Sequence, residues 1–150
     1  MAFQIITDTR EQEPYAFACQ SVRAKLDAGD YSVAGFEGRV AVERKSLPDF
    51  VRTVFHESDR FAVELEKLAG MEAASIVVEA DLDAVLRGRH RDALRAVDPH
   101  ALLGAATHIT VRWGVPVCWC GSRQAACAFT ESYLRMFVRH ALHKEGADDA

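Results

Sequence analysis

Three apolar residues, Val40-Ala41-Val42, run without a break into Glu43-Arg44-Lys45. This pattern describes a strand that begins buried and ends in three charges. Side chains alternate with a period of 2, so Glu43 and Lys45 share one face of the strand and Arg44 takes the other. A charged triplet alone is ordinarily solvated surface, but charges at the end of a buried strand are costly unless they are paired or bound to metal. Thirteen positions before Glu43 lies Asp30, in Gly29-Asp30-Tyr31. An Asp, a gap and then Glu-x-Lys on a strand bring two carboxylates to one divalent cation. The lysine stands beside them to hold or activate a water. That arrangement suits phosphodiester cleavage, in which a metal stabilises the charge developing on phosphorus.

A second acidic group comes from the start of the chain. Phe3-Gln4-Ile5-Ile6-Thr7 is a short β run that ends in Asp8-Thr9-Arg10-Glu11. Chemistry in open α/β sheets gathers at the carboxyl ends of strands. The expectation is therefore five carboxylates near one locus, Asp8, Glu11, Asp30, Glu43 and Asp49, interleaved with Arg10, Arg44 and Lys45. Carboxylates this close raise one another's pKa unless cations intervene.

With 150 residues, 49% of them apolar, the chain has the size of one domain with one core. No apolar run approaches the roughly 20 residues of a membrane span. Met1-Ala2-Phe3-Gln4 lacks the basic, then apolar, opening of a secretory leader, so the cytoplasm is the expected compartment. The formal charge of −4 does not veto a nucleic acid, because five of the acids belong to the candidate site. Three more, Glu145, Asp148 and Asp149, lie in residues 145–150, read as an acidic, disordered tail after a domain of residues 1–144. Non-specific DNA binding would be weak and salt-sensitive. Cys19, Cys118, Cys120 and Cys127 match no common zinc spacing and read as free core thiols.

Alternation over Val22, Ala24 and Leu26 predicts a half-exposed strand. Residues 31–33 and 39–43 follow as strands around a turn at Gly35-Phe36-Glu37-Gly38, giving a meander that presents Asp30 and Glu43 together. Ser46 caps a helix carrying Phe50, Val51 and Val54. Phe61, Leu65 and Leu68 mark another, ended by Gly70. Residues 74–79 read as a buried strand, Asp81 opens a short helix, Pro99 opens a longer one, and residues 115–119 form the last strand. Ser122 caps a final helix with a wide apolar stripe at Phe129, Tyr133 and Phe137. Arg87, Arg89, His90, Arg91 and Arg95 make the densest basic segment, which reads equally as a solvated loop and helix start or as a phosphate-gripping arm beside the site that Arg52 and Arg60 could extend.

Gly-Asp followed by Glu-Arg-Lys-x-x-x-Asp resembles the XPF-type nuclease domain, a branch of the PD-(D/E)XK superfamily. The likeness covers nearly all of the chain. Asp8-Thr9-Arg10-Glu11, Gly29-Asp30-Tyr31 and Glu43-Arg44-Lys45 with Asp49 stand for three acidic motifs. Arg60-Phe61 with Glu64, and Ile76-Val77-Val78-Glu79, resemble the helix and strand that follow. The resemblance implies an α/β fold, a restriction-endonuclease-like central mixed sheet flanked by helices. It implies Asp30, Glu43 and the backbone carbonyl of Arg44 as ligands of Mg²⁺, with Mn²⁺ as a substitute and no nucleotide cofactor. Lys45 would position or deprotonate water, Asp8 and Glu11 would support the site or hold a second ion, and Asp49 would orient Lys45 or Arg44. Arg10, Arg60, Arg87, Arg89 and Arg91 are the candidate DNA contacts.

The implied activity is endonucleolytic cleavage of branched or flap-like DNA, in repair or recombination, leaving a 5′-phosphate. The chain leaves no room for the helix-hairpin-helix modules or helicase of larger relatives. A homodimer is expected through the helices after Pro99, using the final helix and the face from Leu102 to Ile109. The alternative is a non-catalytic, junction-binding subunit of the same fold.

Overall fold

The computed structural model describes residues 2–148. In chain order the elements are β1 (Ile5–Asp8), β2 (Ser21–Ala24), β3 (Tyr31–Val33), β4 (Val40–Lys45), α1 (Leu47–His56), α2 (Ser58–Ala69), β5 (Ala73–Val78), α3 (Leu82–Leu86), α4 (Arg91–Leu94), α5 (Pro99–Trp113), β6 (Val117–Trp119) and α6 (Arg123–Asp148). The strands form one six-stranded sheet in the order β2-β1-β3-β4-β5-β6. β3 runs antiparallel to both β1 and β4, while the β1–β2, β4–β5 and β5–β6 pairs are parallel. The sheet is therefore mixed and flanked by helices, as expected.

The period-2 rule divides the core at the sheet. Ala41, Ile76 and Val78 face α1, α2 and α5, where Phe50, Phe61, Leu65, Leu68, Leu102 and Ile109 pack. Val40, Val42 and Val77 face the other way, toward Ala126, Leu134 and Ala141 of α6. Helix starts are set by local chemistry. Ser46 Oγ accepts the Asp49 N–H at the head of α1, with Pro48 in the first turn. Asp98 caps α5, and Ser122 Oγ accepts the Ala125 N–H at the start of α6. Gly114 ends α5 at φ 72°, a left-handed turn that glycine adopts without strain.

Four expectations change here. β2, β3 and β4 do not form a meander, because β1 lies between β2 and β3. β1 is buried along its whole length, so it needs partners on both edges, whereas exposed β2 suits the sheet's rim. Leu26 is not in β2; it is buried beyond it, with its N–H held by Asp8 Oδ1 at 2.7 Å. The face from Leu102 to Ile109 is unavailable for dimerisation, since Leu102, Ala106 and Ile109 are buried in the chain's own core. Finally, the boundary at residue 144 matches no element end. α6 continues to Asp148, and Glu145 pairs with Arg39 at 2.8 Å. Asp149 and Ala150, also assigned to the tail, lie outside the described residues.

Candidate active site

The site forms where β4 runs past its partner. β3 pairs with β4 at Tyr31 and Val42, and the Asp30 N–H then donates to the Val42 carbonyl at 2.9 Å. Beyond that point the side chain of Asp30 replaces a neighbouring strand: its Oδ2 accepts the Arg44 N–H at 2.7 Å. The carbonyl of Lys45 accepts the Glu79 N–H on the β5 edge. Successive carbonyls of a strand alternate between its edges, so the Arg44 carbonyl faces the Asp30 edge.

Glu43 and Lys45 project together from β4, as the strand period requires. Lys45 Nζ lies 3.8 Å from Glu43 Oε2 and 5.3 Å from the centre of the Phe61 ring. Glu43 is buried, and its carboxyl meets that of Asp30. Burial, then the Asp30 charge and the hydrogen bond the two acids share, push the Glu43 pKa well above the usual carboxylate range, and Lys45 only partly offsets this. Glu64 of α2 adds a third acid, its Oε1 accepting the Gly29 N–H at 2.8 Å. A cleft of about 480 Å³ runs over Asp30, Glu43, Lys45, Glu64 and Arg60. A second, polar depression shares Arg10, Asp30, Glu43 and Lys45 with it and continues past Glu11, Arg44 and Asp49.

Gly29 fixes the approach of Asp30. It sits at φ 77°, and a Cβ there would stand 2.9 Å from Ala41 Cβ. Gly29→Ala combines a left-handed backbone with a clash against the buried strand. It is expected to cost about 2 kcal/mol of stability, read as a lower urea midpoint at unchanged m-value.

The other expected residues have distinct roles. Asp8 is buried and serves as a brace. Its Oδ1 holds Leu26 N–H and its Oδ2 accepts Arg10 N and Nε at 3.2 and 2.8 Å. Burial alone would raise its pKa, yet these bonds hold it below the usual value. Its backbone N–H donates to the Asp30 carbonyl at 2.8 Å, so the brace reaches the site. Arg10 keeps an exposed side chain at the cleft rim while pairing with Asp8.

Glu11 is drawn away from Glu43 toward Arg44, at 3.4 Å. The five carboxylates surround the end of β4: Asp8, Asp30 and Glu43, joined by Glu64, line the cleft, while Glu11 and Asp49 line the adjoining depression, Glu11 paired with Arg44. Asp49 lines the polar depression with Lys45 and Arg44 but makes no ion pair with either among the described residues. Among the described residues its partner is Arg52, 2.8 Å away one helical turn later. Arg87, Arg89, Arg91 and Arg95 are exposed on and around α3 and α4 rather than in the cleft, and Arg87 pairs with Asp83 at 2.9 Å. In the sequence Glu64 stands out only as part of a helix motif. Its position on α2, three residues after Phe61 and pointing with Arg60 to the cleft, was the available signal. Nothing local marked Glu79 and Tyr15 as partners of Arg44.

Among the described residues no three His, Cys, Asp or Glu side chains form a metal-holding group. The candidate donor set is two carboxylates and a backbone carbonyl, all hard oxygen donors, and it fits Mg²⁺ or Mn²⁺ better than zinc. The adjacent acids need either a shared proton or a cation between them. The four cysteines lie elsewhere, half-buried on the α6 side of the sheet.

The profile of the ERCC4 domain matches residues 7–133. The chain belongs to the ERCC4 domain family, the XPF-type nuclease domains. Its fold is similar to XPF from Aeropyrum pernix, with TM-score 0.67 and 22% identity over 89% of this chain and 60% of that one. A structure described as XPF from Aeropyrum pernix in complex with DNA gives TM-score 0.68 and 22% identity, over 91% of this chain and 65% of that one. This chain thus spans less than two thirds of those relatives. No curated protein matches it. No helix among the described residues is long and apolar enough to cross a membrane.

Proposed function

We propose that this domain is a metal-dependent endodeoxyribonuclease that cuts branched or flap-like DNA. The observation that carries the reading is Glu43 and Asp30 meeting in one cleft with Lys45 beside them, in a family of nuclease domains. Asp30, Glu43 and the Arg44 carbonyl are the groups that would hold Mg²⁺ or Mn²⁺. The bound cation supplies neutralisation of the charge that develops on the scissile phosphate and makes water more acidic. Lys45 would position the attacking water along the strand face as an ammonium, or take up its proton if it enters the reaction as the neutral amine. Phe61, under the ammonium, excludes solvent from one side. Arg10 and Arg60 stand at the rim, where the phosphates flanking the cut would lie. The intact trio of Asp30, Glu43 and Lys45 favours this reading over a non-catalytic, junction-binding subunit. Incubation with Mg²⁺ or Mn²⁺ and end-labelled flap, fork, duplex and single-stranded DNA tests it. Metal-dependent cleavage of the branched forms is expected, and no cleavage of any substrate with either ion would sink it.

Arg87, Arg89 and Arg91 extend the basic surface onto α3 and α4, which packs against α1 at the exit of β4. Replacing all three with Ala is expected to weaken binding to every DNA sequence and flatten its salt dependence, by up to about 0.9 units of log–log slope for each phosphate no longer neutralised. Filter binding across a salt series checks this, and an unchanged slope would assign the arm to solvated surface.

We further propose that the domain pairs with a second copy through α6. A largely apolar groove of about 780 Å³ lies there between α6 and the 15–18 segment, next to exposed Met136 and Leu142. Phe129, Tyr133 and Phe137 pack half-buried against the chain's own core, so the groove rather than that stripe is the candidate surface. Sedimentation at micromolar concentration is expected to give about twice the 16.6 kDa chain mass. A single monomeric species would remove the dimer.

A further inference from the structure

On the face of β4 opposite Glu43 and Lys45, Arg44 enters a second polar cluster that the proposed chemistry does not use. Its side chain is 7% exposed. Nε and Nη2 grip Glu79 in a two-pronged pair, at 3.0 and 2.9 Å. Nη1 reaches Glu11 at 3.4 Å, and Nη2 also reaches Glu13 at 3.1 Å. The Tyr15 hydroxyl donates to Glu79 Oε2 at 2.6 Å, and Arg123 Nη1 lies 3.6 Å from that oxygen. The Arg44 and Arg123 guanidiniums flank the Tyr15 ring, 5.8 and 4.8 Å from its centre. Burial alone would raise the Glu79 pKa, yet the bonds from Arg44 and Tyr15 hold it below the usual range.

The same residue, Arg44, contributes its backbone to the site. Its N–H holds Asp30 Oδ2, and its carbonyl faces that edge. Among the described residues no strand pairs with this edge of β4 past Val42, so Asp30 and the Arg44 side chain are what fix the backbone there. β5 fixes the other edge and itself leads into Glu79. A planar guanidinium gripped by two carboxylate oxygens leaves Arg44 little freedom to rotate.

We propose that Glu79, supported by the Tyr15 hydroxyl, is a positioning residue for the candidate cation site. By clamping the Arg44 side chain it sets where the Arg44 N–H and carbonyl, and through them Asp30, stand. The inference rests on the metal-site reading given above. It adds a function for two residues outside the candidate donor set.

Mn²⁺ affinity of the DNA-free protein, measured by titration calorimetry, separates this from a purely structural role. Glu79→Gln is expected to weaken Mn²⁺ binding about 10- to 100-fold, the range for partners that orient metal ligands. DNA affinity in metal-free buffer is expected to stay at the wild-type value. Tyr15→Phe keeps the ring and removes one hydrogen bond, and about a threefold loss of Mn²⁺ affinity is expected. Circular dichroism checks folding of each variant, and Tyr15→Phe decides the matter if Glu79→Gln does not fold. Wild-type Mn²⁺ affinity in a folded Glu79→Gln, or in Tyr15→Phe when it alone folds, overturns the inference and leaves the metal site standing. A wild-type protein that binds no Mn²⁺ removes the metal site and this inference together.

Discussion

Lys45→Ala is expected to lower the rate of metal-dependent DNA cleavage by about 10²- to 10⁴-fold, the usual loss when a positioned proton-transfer group is removed. The loss should fall on kcat, with Mn²⁺ affinity and thermal stability close to wild type. The structure gives the reason for that separation. Lys45 Nζ ends in the cleft, 3.8 Å from Glu43 and over the Phe61 ring, and is not part of either core. Its pairing with Glu43 is loose, so the β4 backbone does not depend on it. The pairing of β4 with β5 continues through Lys45 by backbone bonds alone. Single-turnover cleavage with saturating Mn²⁺ is the measurement, and wild-type rates would remove Lys45 from the chemistry.

Glu43→Gln is the second large effect, and activity and stability should move in opposite directions. Replacing one of the two carboxylates of the cation site is expected to cost about 10³-fold in cleavage, since the metal's stabilisation of the transition state is several kcal/mol and each 1.36 kcal/mol is tenfold. Metal-free stability should rise. The folded pKa of Glu43 is raised, so the folded chain keeps a proton that the unfolded chain releases near the ordinary glutamate value of 4.5. Folded protein then binds more protons than unfolded, and wild-type stability falls as pH increases from that value through the folded pKa. A neutral amide next to Asp30 needs no proton, so the variant should lose this slope. Urea denaturation in EDTA at pH 5 and pH 8 reads it. A Gln variant as pH-sensitive as the wild type, or still active with Mn²⁺, would contradict this account.

The acid pair and its lysine were legible because strand alternation fixes them. Once residues 40–42 are buried, Glu43 and Lys45 must share a face, whatever the rest of the chain does. The caps were legible for the same local reason: Ser46, Asp81 and Ser122 each accept from an N–H three residues on. The place of β1 was not, because the parallel pairing with β2 depends on burial across the sheet rather than on neighbouring residues. Tyr15 meets Glu79 from 64 positions away, and no spacing reports that. Asp49 misled because its motif position suggested a partner in β4, while Arg52 was available one turn later on its own helix. The Leu102 to Ile109 face was correctly read as apolar but assigned to a partner chain instead of to the domain's own sheet.

Because alternate residues of β4 hold opposite tasks, the strand reads in a frame of two. A single inserted residue between Val42 and Glu43 would turn Glu43 and Lys45 toward Tyr15 and Glu79, and Arg44 into the cleft. The chain would keep every functional side chain and its composition, yet lose the site. Residues 34–39, in the turn between β3 and β4, carry no such frame, since strand pairing resets register after them. Variation in length is therefore admissible on one side of Val40 and excluded on the other, which makes the spacing from Val42 to Lys45 a stricter mark of a working domain than the distance from Asp30 to Glu43.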